Sequence, residues 1–306
     1  MSSRRQFIRQ TGIAMAMAGL GQWPDALYAA TGEETVLTIL HTNDMHSRID
    51  PFPADDKRYG GQGGMSQRAA LIKSFRQTAQ HVVLLDSGDI FQGTPYFNYF
   101  GGEPEFRLMS AMGYDAATMG NHDFDAGVEG FARQLPHADF PFLVSNYDFT
   151  NTALQGRTKD YTVVKRGRIR IGIFGLGIEL HGLVPDTLFG ETRYLEPVSI
   201  AQQMSNILRY DERCDVVICL SHLGYRYEEN KVSDQILAKS TGGIDLILGG
   251  HTHTFMEKPE ALSNKDGEEV LINQVGWAGL RLGHLELILN PVKRKKWRYE
   301  TPVIVE

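Results

Sequence analysis

Residues 117–127 read ATMGNHDFDAG. A short apolar run closes on Gly120, and Asn121, His122, Asp123 and Asp125 crowd in behind it. Side chains of this kind are costly to bury, and their spacing follows neither the helical nor the strand period. The pattern is that of a strand that stops where a polar site begins. Four other apolar runs stop the same way. TILHTNDMHS brings Asp44 and His46, VVLLDSGD brings Asp89, VICLSHLG brings His222, and LILGGHTH brings His251 and His253. A single histidine after a strand is ordinarily a surface or hydrogen-bonded residue. Five such endings fall at the carboxyl ends of strands, where α/β sheets bind their ligands, and so define one crevice walled by five loops.

Around these endings the chain alternates. Strands are predicted at Thr35–Leu40, His81–Leu85, Ala116–Met119, Ile169–Phe174, Asp215–Leu220 and Asp245–Leu248. Between them, Gly64–Thr78 puts Met65, Ala69, Ile72 and Phe75 on one helical face, and Ser199–Tyr210 does so with Ile200, Met204, Ile207 and Leu208. Pro104 marks the start of a helix over Glu103–Met112. Asn264-Lys265-Asp266-Gly267 reads as a hairpin turn. This alternation predicts α/β layers around a mostly buried sheet, in one domain over residues 31–306.

Residues 1–30 are set apart. Ser3-Arg4-Arg5-Gln6-Phe7-Ile8-Arg9 is a twin-arginine pattern, a weakly apolar run covers Gly12 to Leu20, and small residues at Ala29 and Ala30 suit cleavage. The expectation is an export signal and a periplasmic or extracellular protein. The apolar run is only about half the length of a spanning helix, and no later segment reads as a membrane span. Arg4, Arg5 and Arg9 would leave with Asp25, taking the net charge from −6 to −8. Such an acidic chain has no long-range attraction for nucleic acid, so an anionic substrate needs local positive charge. The basic cluster Lys293, Arg294, Lys295, Lys296 and Arg298 is read as a solvated turn rather than a nucleic-acid patch. Cys214 and Cys219, at strand spacing, are too far apart to bridge.

Asp44, His46, Asp89, Asn121, His222, His251 and His253 supply four imidazoles, two carboxylates and one amide, with no thiolate. That is too many for one four-coordinate ion and suits two divalent ions. The donor types fit Mn, Zn, Fe or Co. Two cations about 3.5–4 Å apart call for a shared carboxylate, for which Asp89 is placed. Such a pair acidifies a water and clamps phosphoryl oxygens. His122 is left over beside Asn121 as a catalytic candidate, and Asp125 could fix its tautomer.

LHTNDMH, GGMSQRAALI, LLDSGDIFQGTP, GYDAATMGNHDFD, CLSHLG, GGHTHT and NQVGWAGLRLG stand in the order found in calcineurin-like metallophosphoesterases of the 5′-nucleotidase branch, which the chain resembles over nearly its whole length after residue 30. The resemblance implies a four-layer α/β/β/α sandwich. It assigns Asp44, His46, Asp89 and His253 to one ion, Asp89, Asn121, His222 and His251 to the other, and catalysis to His122 with Asp125. Asp123 stands where many relatives have Glu and is not expected to bind metal. Nucleotide-hydrolysing relatives continue into a second domain that stacks the base. The chain ends at Glu306, so a separate polypeptide is expected to complete the substrate site.

The leading expectation is phosphomonoester hydrolysis on a small, nucleotide-like substrate. A cyclic-nucleotide phosphodiesterase, a nucleotide-sugar hydrolase or a sulfate-ester-type hydrolase would use the same metals. A non-catalytic metal-binding partner subunit is disfavoured by the complete ligand set. Gly172-x-x-Gly175-x-Gly177 departs from the dinucleotide fingerprint and is read as a strand ending in a tight turn. Tyr96, Phe97, Tyr99 and Phe100 are read as core, and His41 as no ligand.

Overall fold

The computed structural model describes residues 34–229, 231–290 and 295–306. The expected export signal lies outside these residues. The strands are β1 (Thr35–Thr42), β2 (Val82–Asp86), β3 (Ala116–Ala117), β4 (Tyr147–Asp148), β5 (Tyr161–Arg166), β6 (Ile169–Leu176), β7 (Arg193–Tyr194) and β8 (Val216–Ser221). They continue as β9 (Leu246–Leu248), β10 (Glu260–Ser263), β11 (Glu269–Asn273), β12 (Arg281–Leu289), β13 (Lys295–Tyr299) and β14 (Val303–Ile304). The α-helices are α1 (Met65–Thr78), α2 (Pro95–Phe100), α3 (Glu103–Met112), α4 (Gly127–Gln134), α5 (Asp186–Phe189), α6 (Pro197–Asn206) and α7 (Asp234–Ser240).

Two six-stranded mixed sheets form. The first runs β13-β12-β1-β2-β3, with β14 also on β12, and the second runs β10-β11-β9-β8-β6-β5. β1, β2 and β3 are parallel, as are β6, β8, β9 and β11. Alternate residues face two different layers. Leu37, Ile39, Val83 and Leu85 of the first sheet meet Ile171, Ile173, Ile218, Leu220 and Leu248 of the second in one cluster. Leu40 and Leu84 turn the other way, toward Ile72 of α1, Met109 of α3 and Phe131 of α4. Phe174, Cys219 and Ile247 pack against Ala201, Met204 and Leu237. The fold is therefore the α/β/β/α sandwich, two sheets where alternation alone gave one. Strands covered on both sides read as continuous apolar runs, from which the number of sheets cannot be deduced.

Several local expectations are corrected. β3 keeps only two residues, because Thr118 turns its hydroxyl to the Leu143 carbonyl and Gly120 gives its amide to Asp123. α6 begins two residues early at Pro197, where the Glu196 carboxylate accepts from the amides of Val198 and Ser199. It then widens into a π turn over Ile207–Asp211. Lys295, Lys296 and Arg298 lie in strand β13 rather than a turn. Lys295 pairs with Asp245 beside β9 of the other sheet, and Arg298 with Glu286 of β12 at 2.9 Å, while Lys293 and Arg294 lie outside the described residues. β6 runs through Gly172 and Gly175, and a Cβ on Gly175 would strike the Leu143 carbonyl. Close packing rather than a turn explains that glycine. Of the aromatic group only Phe97 packs on the core, whereas Tyr99 and Phe100 are 82% and 56% exposed. The 264–267 hairpin connects β10 and β11, and both cysteines are free and buried.

Candidate metal centre

The carboxyl ends of β1, β2 and β3 in one sheet and of β8 and β9 in the other open onto the same place. Asp44, His46, Asp89 and His253 bring their donor atoms within 4.8 Å of one another, and so do Asp89, His222 and His251. Asp89 is common to both groups. Asn121 Oδ1 lies 2.8 Å from His251 Nδ1. All seven nominated side chains thus converge, drawn from both sheets, and His41 stays apart, bonded to Asn273 at 2.9 Å.

Backbone geometry explains why these loops are short and sharp. Ten described non-glycine residues have positive φ, and five of them are Asp44, His46, Asp89, His251 and His253, at φ 48–70°. Left-handed backbone at a bulky residue costs on the order of 1–3 kcal/mol, so the strain is concentrated on the candidate ligands. The glycine that ends the opening stretch is needed for space: a Cβ on Gly120 would run into Asp89 Oδ1 and His222 Cε1.

Asp123 is the residue whose role sequence reading missed. Its buried carboxylate accepts the amides of Asp89 (3.0 Å), Ile90 (3.0 Å), Phe91 (3.1 Å) and Gly120 (2.8 Å). It thereby ties the Asp89 loop to the Asn121–His122 loop. No signal in the sequence marks it, because three of its four partners are backbone groups more than thirty residues away in the chain. Asp86 assists by accepting the Gly88 amide at 2.9 Å.

The sheets are stitched together here by polar contacts. Ser87 donates its hydroxyl to the Leu248 carbonyl at 2.8 Å, and its own carbonyl accepts His222 Nδ1 at 2.7 Å. That bond leaves the His222 lone pair on Nε2. This atom is fully buried, has no hydrogen-bond partner, and sits 3.1 Å from Asp89 Oδ2. His46 Nδ1 faces the Phe91 carbonyl at 3.4 Å, which turns its Nε2 toward His253 Nε2, 3.0 Å away. Imidazole nitrogens and carboxylate oxygens that point at one another call for a cation between them. The nitrogen and oxygen donor set, free of thiolate, fits a pair of divalent transition ions.

The charge state tells the same story. Burial opposes protonation of His222, yet Asp89, Asp44 and the bond to Ser87 overcome it and push its pKa up to about 10. This position demands positive charge. His251 is lowered to about 4, first by burial and then by the charge of His222. Asp123 is raised to about 7 by burial and the neighbouring Asp89.

At the rim, His122 donates from Nδ1 to Asp125 Oδ2 at 2.9 Å, while its backbone amide donates to Asp89 Oδ1 at 2.8 Å. The Asp125 bond raises the imidazole pKa against the effect of burial. With Nδ1 occupied and the side chain 39% exposed, Nε2 is the nitrogen left for a ligand.

The fold and this geometry place the chain in a known family. The model described as Calcineurin-like phosphoesterase matches residues 37–255, and the chain belongs to that family. Proteins named 5′-nucleotidase are among those it is similar to. A snake venom 5′-nucleotidase of Crotalus adamanteus is 31% identical over 88% of this chain and 48% of its own length. The human 5′-nucleotidase is 29% identical over 82% of this chain and 46% of its own. The crystal structure of a 5′-nucleotidase precursor from Thermus thermophilus superposes with a TM-score of 0.78 at 30% identity, covering 88% of this chain and 54% of that one. The chain spans about half the length of the curated relatives it matches.

Proposed function

We propose that this protein is a two-metal phosphohydrolase that cleaves phosphomonoesters of nucleotides. One observation carries the reading: Asp89 is shared between two groups of converging ligands, with the His122–Asp125 pair bonded directly beside them. Asp44, His46, Asp89 and His253 would hold one ion, and Asp89, Asn121, His222 and His251 the other. Bound there, such ions acidify a water and neutralise phosphoryl oxygens. The chain's own residues supply the rest. Asp123 and Ser87 hold the ligand loops in register. Asp125 fixes the His122 ring with Nδ1–H directed at itself, so that Nε2 faces the substrate and can deliver a proton to the leaving oxygen.

The nucleotide as substrate is drawn from the relatives, which carry the name 5′-nucleotidase in the snake venom and human proteins. Recognition of the base by a second polypeptide belongs to the same reading. So does export through the twin-arginine pattern of residues 1–30. The test is a panel of nucleoside 5′-monophosphates, cyclic nucleotides, nucleotide sugars and a sulfate ester, run with Mn²⁺ or Zn²⁺ beside metal analysis. Preference for 5′-monophosphates with two ions bound supports the reading, and turnover unaffected by chelation refutes it. Replacing Arg4 and Arg5 by Lys should keep the protein in the cytoplasm if the pattern directs export.

A further inference from the structure

The segment Gln274–Leu280, between β11 and β12, lies outside the family-matched stretch 37–255, yet it returns to the metal centre. It is bonded to two of the three chain segments that carry the first group of ligands, those of Asp44 and His46 and of His253. On one side, Val275 donates its amide to Asn43 Oδ1 at 3.0 Å, Gly276 accepts from Asn43 Nδ2 at 2.6 Å, and Ala278 donates to the Asp44 carbonyl at 2.7 Å. On the other side, Gly276 donates to the Thr254 carbonyl at 3.0 Å, and Gln274 Oε1 accepts from Thr252 Oγ1 at 3.1 Å.

At its tip the Trp277 ring lies parallel to the His253 imidazole, 5.7 Å between centroids and 7° between planes. It also stands edge-on to His46 at 6.4 Å. Phe52 and Tyr59 brace the indole at 6.0 and 6.5 Å. Among the described residues its ring contacts include neither His222 nor His251.

His253 needs such a support. Two of the other imidazoles anchor Nδ1 on a backbone carbonyl, His46 on Phe91 and His222 on Ser87, and His251 Nδ1 meets Asn121 Oδ1. The bond found for His253 runs from Nε2 to His46, its side chain is 40% exposed, and its backbone is held at φ 49°. A metal-binding histidine normally has its ring fixed by a hydrogen bond at the far nitrogen. Here a flat aromatic surface takes that place, and parallel ring packing restricts the same rotation.

We infer that Trp277 is a positioning residue for His253, and that it governs the affinity of one ion site, that of Asp44, His46, Asp89 and His253, while leaving the other untouched. This rests on the two-metal reading above.

The test uses the full chain, stripped of metal and titrated with Mn²⁺ or Zn²⁺ by calorimetry, with Mn²⁺ occupancy followed by electron paramagnetic resonance. H253A identifies which titration step belongs to the first site. W277L and W277M remove the ring plane while filling its volume, so one serves if the other folds poorly, as judged by thermal unfolding without metal. The expected result is about a tenfold to hundredfold weakening of the H253A-sensitive step alone, with W277F restoring most of it. Equal weakening of both steps, or a wild-type profile in both folded variants, overturns the inference while the two-metal reading stands. A wild-type chain that binds no pair of ions overturns that reading, and the inference with it.

Discussion

Two regions of the same strands obey opposite rules. Between the sheets, Leu37, Ile39, Val83, Ile173, Ile218 and Leu248 are apolar, buried and in regular strand conformation. A few residues further along, the same strands lead into Asp44, Asp89, His222 and His251, with left-handed backbone at Asp44, Asp89 and His251, buried carboxylates, and a His222 Nε2 that lacks a partner. Burial of apolar surface stabilises the first region by about 25 cal/mol per Å², whereas the second carries local strain and electrostatic conflict. The contrast teaches where function sits: a rigid interior holds in place an edge that would not choose its own geometry. Cations would relieve that edge and leave the interior unchanged.

The largest effect should come from withdrawing those cations. Chelation is expected to abolish turnover while far-UV circular dichroism stays that of the folded protein, because the apolar interior does not depend on metal. The metal-free chain should unfold more readily, by about 2.7 kcal/mol for each site relative to protein at a free ion concentration a hundred times Kd. Loss of secondary structure on chelation would break the comparison, since the interior would then depend on the edge. Next in size is His122→Ala, expected to lower kcat/KM about 10²- to 10⁴-fold with both ions retained. A wild-type rate on a nucleoside monophosphate, whose alkoxide leaving group needs the proton, would remove His122 from the mechanism.

The two regions were also unequally legible in the sequence. The edge announced itself by repetition, because one strand ending in Asn, His or Asp is ordinary and five in one chain are not. The five polar endings located the crevice before any sheet was known. The interior gave less. The apolar run Val216–Leu220 fixes a buried strand but not which of two sheets it joins, and pairing is decided by contacts remote in sequence. Asp123 was invisible for a related reason. A carboxylate that accepts four main-chain amides looks in sequence like any acidic residue in a polar loop, and only the fold brings those amides to it. Arg68 was equally hidden. It sits on the helical face with Met65 and Ile72 and is fully buried, where periodicity predicts an apolar residue.

The interior can be probed alone. Ile173→Ala removes a fully buried side chain between the sheets and should cost about 2–5 kcal/mol in denaturant unfolding. The kcat of the folded, metal-loaded variant should not change. A parallel fall in kcat would mean that packing in mid-sheet sets ligand geometry directly, and the two regions could no longer be treated apart.

The smallest expected effect tests the border between them. His41, near the end of β1, is fully buried, with Asn273 donating to Nε2 and Nδ1 left without a partner. Burial alone lowers its pKa to about 3, and among the described residues no charged group offsets it. Above pH 6.5 the imidazole is neutral whether the chain is folded or not, so its contribution to stability is constant there. Below that, the unfolded chain gains a proton that the folded chain refuses, and stability falls by about 1.4 kcal/mol per pH unit until pH approaches 3. Denaturant midpoints of the metal-free protein from about pH 7 to about pH 5 should therefore show an acid loss in the wild type of about 2 kcal/mol relative to His41→Asn, whose side chain does not titrate. Parallel pH profiles for the two proteins would show that His41 gains its proton without cost. The apolar interior would then end one strand position earlier than the structure places it.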